Sequence, residues 1–321
     1  MTPALILRPH GRLGNHLLQW VTAQSLAARV PGLQVHNFDL GPLGLRAGGF
    51  ARRQPFVPRL TEQDSDLALA ARLMSDGEMP LARLWCMVLQ VSAWEPPARL
   101  RALLPAGPAG VQTAGPDEIL LNVRADEILK ARHRDYGPLG LGFYAAVLRE
   151  TGLKPVFMGQ LGDDPYSQLL RASFPGARFL PSQGVAGDFQ AMRQARHLAL
   201  SVSTFSWAAG WLSEAESLHM PLTGFYHPSQ RPDIDLCPVE DARFHFYDCG
   251  PRLWQATPEQ IAALQDLTPV KVLTAAEVEA LRRQACQTRA AARQADAARL
   301  IAAARRTRPF APILAKVYAK P

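Results

Sequence analysis

In the first third of the chain, apolar and polar positions alternate between the pattern of short buried strands and that of helices. Strands are predicted at residues 4–7 and 33–38, with a helix at 16–30 between them. Residues 41–58 are rich in Pro and Gly, which predicts an irregular segment. Apolar residues at helical spacing then predict that residues 61–94 are mostly helical.

A second series of alternating elements follows a predicted linker at residues 96–116, which contains five prolines and three glycines. Strands are predicted at 119–123, 154–158, 178–180 and 197–202, and helices at 143–151, 166–173, 188–196 and 204–211. Strands that alternate with helices form a parallel sheet with helices on both faces. We therefore predict an α/β protein with two domains, 1–110 and 117–270, and a cleft between them, where ligands bind beyond the carboxyl ends of the strands.

Residues 274–321 are predicted to form a basic helical tail. Thr274 and Glu277 have the spacing of a capping box, and an Ala- and Arg-rich helical stretch follows to about Arg306. The last 41 residues contain ten basic residues and one acid, a net charge of +9, so the rest of the chain carries −2 and is nearly neutral. The tail can be a solvated helix docked on the body or a basic surface held near anionic lipid. A near-neutral body gives no support for a nucleic-acid partner.

Composition narrows the class of protein further. The chain has 321 residues, of which 48% are hydrophobic and 20% charged, which is ample material for globular cores. The four cysteines are widely separated and form no CxxC pair, so we predict free thiols in a reducing compartment. The first residues lack the pattern of a signal peptide, and no apolar run reaches the roughly 18 residues that span a bilayer. We expect a cytoplasmic protein, peripheral at the inner face of the membrane if the tail binds lipid.

The first segment with candidate chemistry is Gly11-Arg12-Leu13-Gly14-Asn15, which lies between a strand and a helix. Glycines let the backbone approach a ligand closely, and a helix start offers free N–H groups. The segment is either an anion site or an ordinary strand-to-helix turn. It lacks the GxGxxG that an NAD-type oxidoreductase needs and the Lys of a P-loop.

Two further segments follow predicted strands in the second half. Arg124 can hold a diphosphate with two parallel hydrogen bonds, or it can form an ion pair with Asp126 or Glu127. The segment 201–207, Ser-Val-Ser-Thr-Phe-Ser-Trp, places hydroxyls at a strand-to-helix turn. These hydroxyls can cap the helix, bind phosphate oxygens at its N-terminus, or do both.

Together the three segments resemble bacterial α-1,2-fucosyltransferases and the wider GDP-fucose-dependent superfamily, over roughly residues 1–230. Residues 11–16 are similar to the family's GRLGNQ, with His16 in place of Gln. Residues 203–207 are similar to its STFSW. Asn122-Val123-Arg124 occupies the place of HxRRGD, with Asn for His and without the second Arg and the Gly.

The resemblance implies a GT-B architecture, in which two Rossmann-like domains have the active site between them, and an inverting glycosyltransferase. The implied donor is a GDP-sugar, foremost GDP-fucose, and the implied acceptor a glycan or glycolipid in surface polysaccharide assembly, with no metal required. Arg124 corresponds to the residue that binds the β-phosphate of GDP. The residues implied to bind the donor or line its site are Gly11, Arg12, Gly14, Asn15, Asn122, Ser203, Thr204, Phe205 and Ser206. Asp188 is placed either to read guanine or to cap a helix.

Inverting transfer needs a base that takes the proton of the acceptor hydroxyl. The candidates are Asp126, Glu127 and His16, because a carboxylate or an imidazole can take that proton. The altered HxRRGD segment leaves a second function open, a nucleotide- or carbohydrate-binding protein of the same fold without transferase activity.

Overall fold

The computed structural model describes residues 2–49 and 57–307, which form two α/β units. The first unit comprises Met1–Pro105, Asp233–Leu236 and Cys286–Pro321, and the second comprises Ala106–Pro232 and Cys237–Ala285. Each unit contains its own largely parallel sheet, which confirms the predicted α/β class with two Rossmann-like sheets. The sequence-based division into 1–110, 117–270 and 274–321 stays a prediction, because a domain is defined by independent folding.

The first unit contains six of the described strands, three complete helices and the larger part of the long helix of the tail. The strands are β1 (Ala4–Leu7), β2 (Gln34–His36), β3 (Phe38–Leu40), β4 (Leu45–Ala47), β5 (Arg59–Leu60) and β6 (Leu81–Leu84). The helices are α1 (Leu13–Ala27), α2 (Leu67–Ser75) and α3 (Pro97–Arg101). The parallel sheet has the strand order β2-β1-β6-β5, while β3 and β4 form a separate antiparallel pair.

Strand β6 corrects the prediction that residues 61–94 are mostly helical. Its four residues, Leu-Ala-Arg-Leu, are good helix formers. The strand nevertheless lies between β1 and β5, with Leu7 of β1 beside Leu84. Pairing on both sides and burial in the sheet override local propensity here. Of the segment predicted to be irregular, residues 45–47 pair with β3 and residues 50–56 lie outside the described residues.

The second unit is built on a sheet of seven described strands. They are β7 (Glu118–Val123), β8 (Lys154–Gly159), β9 (Arg178–Leu180), β10 (His197–Ala199), β11 (Ser217–Leu222), β12 (Phe244–Asp248) and β13 (Lys271–Leu273). The helices are α4 (Leu141–Thr151), α5 (Pro165–Ser173), α6 (Gly184–Gln194), α7 (Thr204–Trp211), α8 (Pro258–Ala263) and the first turns of α9 (Ala275–Thr307). The strand order is β13-β12-β11-β10-β7-β8-β9, parallel except for β13.

The path of the chain reverses direction at β7. From β7 the chain adds β8 and then β9 on one side, and it next crosses to β10 on the other side of β7. The carboxyl ends of β7 and β10 therefore flank the topological switch point of this sheet, where open α/β sheets bind ligands.

Helix α7 packs closely against the strands next to the switch point. A Cβ atom on Gly210 of α7 would lie 2.9 to 3.2 Å from leucine side chains of β10, β11 and the residue after β10. Trp207 and Trp211 of the same helix are buried and stacked, with ring centroids 5.4 Å apart. This packing holds the N-terminus of α7 at a defined position beyond the end of β10.

The described part of the tail is one long helix, α9. The capping box is present, because the backbone N–H of Thr274 donates to Glu277 and the N–H of Glu277 donates to the Thr274 hydroxyl. Past residue 285 the helix belongs to the first unit, where Arg289 and Arg293 donate to Asp64 at 3.0 and 3.3 Å. Binding of the tail to anionic lipid stays a prediction, with several of its arginines engaged within the chain. Across the residues that the structure describes, no helix is both long and apolar enough to cross a bilayer.

Candidate functional site

Arg124 lies directly after β7, at the switch point of the second unit. One guanidinium nitrogen donates to the backbone carbonyl of Val202 at 3.0 Å, which reaches across from β7 to the segment after β10. The other terminal nitrogen donates to Glu127 at 3.0 Å. The side chain is 19% exposed, so it is largely enclosed and yet open to a ligand. Two of its five N–H donors are thus used within the described residues, and the rest are available to a ligand.

Glu127 and Gln160 hold the guanidinium of Arg124 in place. The Gln160 amide nitrogen donates to the second carboxylate oxygen of Glu127 at 3.2 Å, and its oxygen accepts from the backbone N–H of Ala125 at 3.0 Å. Burial by itself raises the pKa of Glu127, but the hydrogen bonds from Arg124, its own backbone and Gln160 outweigh burial and lower the pKa to about 2. A carboxylate with so low a pKa is a weak base near neutral pH. The geometry therefore favours a positioning role for Glu127 over the predicted role as catalytic base.

Tyr136 covers one face of Arg124. The guanidinium carbon lies 4.7 Å from the centroid of the ring, within the range of a cation–π contact. The ring in turn packs on Phe225 at 4.7 Å. Burial raises the pKa of Tyr136, so its hydroxyl stays protonated at neutral pH.

The loop after β7 is strained and well anchored. Asp126 and Ala131 have left-handed backbone conformations, with φ of 49° and 50°. Such residues cost of order 1 kcal/mol each and cluster at ligand sites. Asp135 anchors the far end of the loop, since its carboxylate accepts from Gln230 at 2.8 Å and from Arg231 at 3.0 Å.

The N-terminus of α7 faces the same switch point. Ser203 is the N-cap, and its hydroxyl accepts from the N–H of Phe205 at 3.2 Å. The buried Tyr226 hydroxyl lies 2.7 Å from the carbonyl of Ser203 and accepts from its N–H at 3.2 Å. Capping is thus one observed use of the predicted hydroxyls. The positive end of the helix dipole and the Arg124 guanidinium together favour an anion here.

Asn122 and Ser206 make hydrogen bonds within the protein, and their predicted role in binding the donor stays a prediction. The Asn122 amide accepts from the buried Ser201 hydroxyl at 2.6 Å and donates to the Met158 carbonyl at 3.4 Å, so it ties β7 to β8 and to the segment after β10. The Ser206 hydroxyl is fully buried and donates within its own turn, to the carbonyls of Ser201 or Ser203. Both side chains therefore make hydrogen bonds to protein groups next to the site.

The remaining predicted residues of the second unit differ in exposure. Asp126 is an exposed carboxylate, 3.8 Å from Lys130, and remains a candidate base. Thr204 is buried at the start of α7, and Phe205 is half-buried against Phe189 with ring centroids 5.6 Å apart. Asp188 lies inside α6, where its carboxylate accepts from the Ser182 hydroxyl and the N–H of Gln183 at 2.6 and 2.8 Å. These hydrogen bonds hold residues 182 and 183 against the first turns of α6. Recognition of guanine by Asp188 stays a prediction.

The predicted residues of the first unit lie at the start of α1. Gly11 has a φ of 76°, and a Cβ atom there would meet the Asn15 amide nitrogen at 2.3 Å, so this position requires glycine. Arg12 is the N-cap of α1 without a side-chain cap bond, and Gly14 is buried in the first turn. The His16 ring nitrogen Nδ1 lies 3.4 Å from the carbonyl of Asp39. Whether these residues meet Arg124 in one site stays a prediction.

Three residues that shape the site were not predicted from the sequence: Tyr136, Gln160 and Tyr226. Gln160 carried a usable signal, because it directly follows a predicted buried strand. Tyr136 and Tyr226 carried none, since they come from loops whose proximity depends on the tertiary fold. Within residues 2–49 and 57–307, no group of three or more His, Cys, Asp and Glu side chains is arranged to hold a metal ion.

Comparisons with known proteins give only distant likenesses. No protein-family model and no curated protein matches the chain. Among solved structures, the chain is similar to the E. coli heptosyltransferase WaaC with ADP-2-deoxy-2-fluoro heptose, with a TM-score of 0.34 and 10% identity over 88% of this chain and 99% of that one. It is also similar to the dodecameric iron-containing heptosyltransferase TibC in complex with ADP-D-beta-D-heptose, with a TM-score of 0.35 and 14% identity over 89% and 77% of the two chains. At these TM-scores the likeness assigns neither an activity nor a substrate to this chain.

Proposed function

We propose that this chain is a glycosyltransferase that uses a nucleotide-sugar donor and binds the donor diphosphate between Arg124 and the N-terminus of α7. One observation carries the proposal: at the switch point of the second unit, a guanidinium and a helix N-terminus share one small region through the bond from Arg124 to Val202. A diphosphate satisfies both, because it accepts parallel N–H bonds from arginine and binds at positive helix ends.

The arrangement of Arg124 suits stabilisation of a leaving diphosphate. Glu127, Gln160 and Tyr136 fix the guanidinium before any ligand arrives. Cations and N–H groups placed in advance lower the barrier when negative charge grows on the leaving group. The negative charge of Glu127 partly cancels the positive field of Arg124, so the pair fixes the orientation of the guanidinium and reduces its attraction for an anion.

The donor sugar and the base are finer parts of the proposal. The resemblance of residues 11–15 and 203–207 to fucosyltransferases supports GDP-fucose, with transfer that needs no metal. Asp126 is the preferred base, because it is exposed beside Arg124 while Glu127 has both carboxylate oxygens bonded. The acceptor is a glycan or glycolipid.

A second candidate is a nucleotide-binding protein of the same fold without transferase activity. The observation that favours it is the state of the altered HxRRGD segment, where Asn122 is hydrogen-bonded to Ser201 and Met158 and the pKa of Glu127 is lowered to about 2. This candidate retains nucleotide binding at Arg124 and lacks sugar transfer.

A thermal-shift panel with GDP, UDP, ADP and NAD, each with and without Mg²⁺, tests the proposal. A nucleotide at about 100 times its Kd raises the free energy of unfolding by about 2.7 kcal/mol. We expect stabilisation by GDP that does not depend on Mg²⁺, is lost in Arg124→Ala and is kept in the exposed-arginine control Arg149→Gln. Stabilisation by UDP, ADP or NAD alone would contradict GDP as the donor nucleotide. Incubation with GDP-fucose and candidate acceptors then separates the two functions, because only the transferase releases GDP in an acceptor-dependent manner.

A further inference from the structure

Arg252 and Trp254 lie in the segment after β12, on the same edge of the second sheet as Arg124. Strands β10, β11 and β12 are parallel to β7, so this segment begins at the carboxyl ends of the strands, where open α/β sheets bind ligands. The backbone N–H of Trp254 donates to the carbonyl of Arg134 at 2.7 Å, and that of Arg252 donates to the Gln230 side chain at 2.6 Å. These bonds place the segment against the loops after β7 and β11.

The guanidinium of Arg252 lies half-buried among neutral groups. One terminal nitrogen donates to the carbonyl of Pro138, and the guanidinium carbon lies 5.3 Å from the centroid of the Trp254 ring. Burial lowers the pKa of Arg252, and the groups that oppose this effect are the Cys249 thiol and the Tyr166 hydroxyl. Burial raises the pKa of both groups, that of Cys249 to about 12, so neither is ionised at pH 7 to balance the cation.

No carboxylate of the described residues lies within ion-pair distance of Arg252. The acid of the loop that it contacts, Asp135, accepts instead from Gln230 and Arg231. The stretches 50–56 and 308–321, which lie outside the described residues, contain no Asp or Glu in their sequence. A guanidinium carries five N–H donors, and within the described part of the chain Arg252 uses one of them. Arginines withdrawn from water are ordinarily paired, so this charge and its donors suit an anion.

Trp254 supplies a second donor beside this cation. Its side chain is 1% exposed, and its indole nitrogen Nε1 is buried and meets no acceptor among the described residues. A buried N–H without an acceptor is destabilising, and buried indole N–H groups usually have a partner. Gly137 lies against both side chains, because a Cβ atom there would be 3.1 Å from Cγ of Trp254 and 3.2 Å from a terminal nitrogen of Arg252. The two donors therefore meet in one small region beside the loop after β7.

An anion with two or more oxygens satisfies both donors. A guanidinium binds phosphate and carboxylate through parallel hydrogen bonds, and a further lone pair of the same group can accept from the indole N–H. A buried water would satisfy the indole N–H of Trp254 but would leave the charge of Arg252 unbalanced. The cation and the unpartnered donor together thus favour an anionic group over a neutral one.

We propose that Arg252 and Trp254 bind an oxyanion, the phosphate or carboxylate group of a ligand, at a site separate from that of the donor diphosphate. The two sites lie on either side of Gly137, since Tyr136 covers Arg124 and Pro138 accepts from Arg252. The oxyanion is either free phosphate or the acidic group of a sugar. The site is inferred from these residues alone and does not depend on the proposed transferase function.

The test follows the indole N–H resonances of the full chain by NMR. The chain contains six tryptophans, and Trp254→Phe identifies the Trp254 resonance by removing it. The probes, at constant ionic strength, are inorganic phosphate, glucuronate as the acidic sugar and glucose as the neutral control. We expect phosphate or glucuronate to shift the Trp254 resonance, and the one that does so identifies the source of the oxyanion.

Substitutions at Arg252 measure its part in binding. Affinity for the oxyanion should fall at least about tenfold in Arg252→Gln, for the loss of a hydrogen bond to a charged group. Arg252→Lys keeps the charge without the fork of parallel donors, so it should weaken binding less. The exposed-arginine control of the same unit, Arg149→Gln, should keep the wild-type affinity. The other five indole resonances report whether each variant is folded.

Four outcomes would overturn the proposal: no shift with either anion, an equal shift with glucose, unchanged affinity in both Arg252 variants, or loss of the shift in Arg124→Ala. Titration with GDP keeps the two sites apart, because Arg124→Ala should lose GDP binding and keep the shift, whereas Arg252→Gln should do the reverse. GDP binding without a shift by either anion overturns the oxyanion site and leaves the donor site standing. A shift without GDP binding to the wild type overturns the proposed donor and leaves the oxyanion site standing.

Discussion

The two units place arginine at the same topological point and treat its charge differently. In the second unit, Arg124 follows β7 and is paired with Glu127 at 3.0 Å. In the first unit, Arg8 follows β1 and shares the Trp85 ring with two further arginines, and no described carboxylate pairs with it. A switch point beside the first strand of each sheet thus carries an oriented, charge-neutral pair in one unit and three arginines around a tryptophan in the other.

The difference lies in how the arginines are held. The paired arginine is held in one orientation, so a ligand does not have to order the side chain when it binds. The pairing thus acts through the placement of the guanidinium. The arginines around Trp85 instead lie near one another on the same ring, and no described carboxylate pairs with Arg8 or Arg59. A leaving diphosphate benefits from accurate placement of its cation at the moment of bond breaking. Four substitutions test this comparison.

Asp64→Ala is expected to have the largest effect. The Asp64 side chain is 1% exposed and accepts from both Arg289 and Arg293, so it joins the loop after β5 to α9. Breaking a buried charge pair from one side should lower the free energy of unfolding by about 3 kcal/mol. Calorimetric unfolding measures the change. The exposed pair of Asp76 with Arg72 supplies the control, because Asp76→Ala should change stability by less than about 1 kcal/mol. Equal effects of the two variants would show that Asp64 does not anchor the helix.

Arg124→Met is expected to have the second-largest effect. It should lower the free energy of unfolding by about 2 kcal/mol at pH 7, because it leaves Glu127 buried without its cation. The hydrogen bonds of the pair lower the pKa of Glu127 from 4.5 to about 2 against the effect of burial. Their stabilisation is complete above about pH 4.5 and is lost as the pH falls toward 2. The stability difference between wild type and variant should therefore narrow over that range. A difference independent of pH would contradict the ion pair. Arg196→Met, in an exposed pair with Glu216, is the control.

Gln19→Leu should lower the free energy of unfolding by about 1 to 2 kcal/mol, because it leaves the carbonyls of Arg8 and Cys86 without their amide donor. Denaturant unfolding measures the change. Gln24→Leu, in the same helix and half-buried, should change the free energy of unfolding by less than about 0.5 kcal/mol. Equal effects of the two variants would show that the hydrogen bonds of Gln19 do not stabilise the strand ends.

Arg59→Gln should have the smallest effect and the opposite sign. Removing one of three clustered charges should raise the free energy of unfolding by about 0.5 kcal/mol in low salt without ligand, with the gain fading as salt screens the repulsion. Thermal unfolding across a salt series measures it. A lower melting temperature at every salt concentration would mean that Arg59 mainly stabilises the sheet through Trp85.

Local pattern accounts for much of the second unit and less of the first. Strands at 119–123 and 154–158 were predicted because fully buried parallel strands have nearly continuous runs of apolar residues. Strands β7 and β8 confirm this prediction. Strand β6 was missed because its residues favour a helix and only its neighbours make it a strand. Arg124 was found from the sequence, since it follows a buried strand at the edge where parallel sheets bind ligands.

The sequence by itself determined the α/β class, the capping box of α9, and the placement of Arg124 and Ser203 at strand ends, because these depend on residues close together along the chain. Only the tertiary structure decided that Glu127 pairs with Arg124 and that Asn122 and Ser206 face inward. It also brought Arg8, Arg59 and Arg83 around Trp85 from three separate strands. Strand order and register set these contacts, and they follow from the packing of whole elements, which no local spacing encodes.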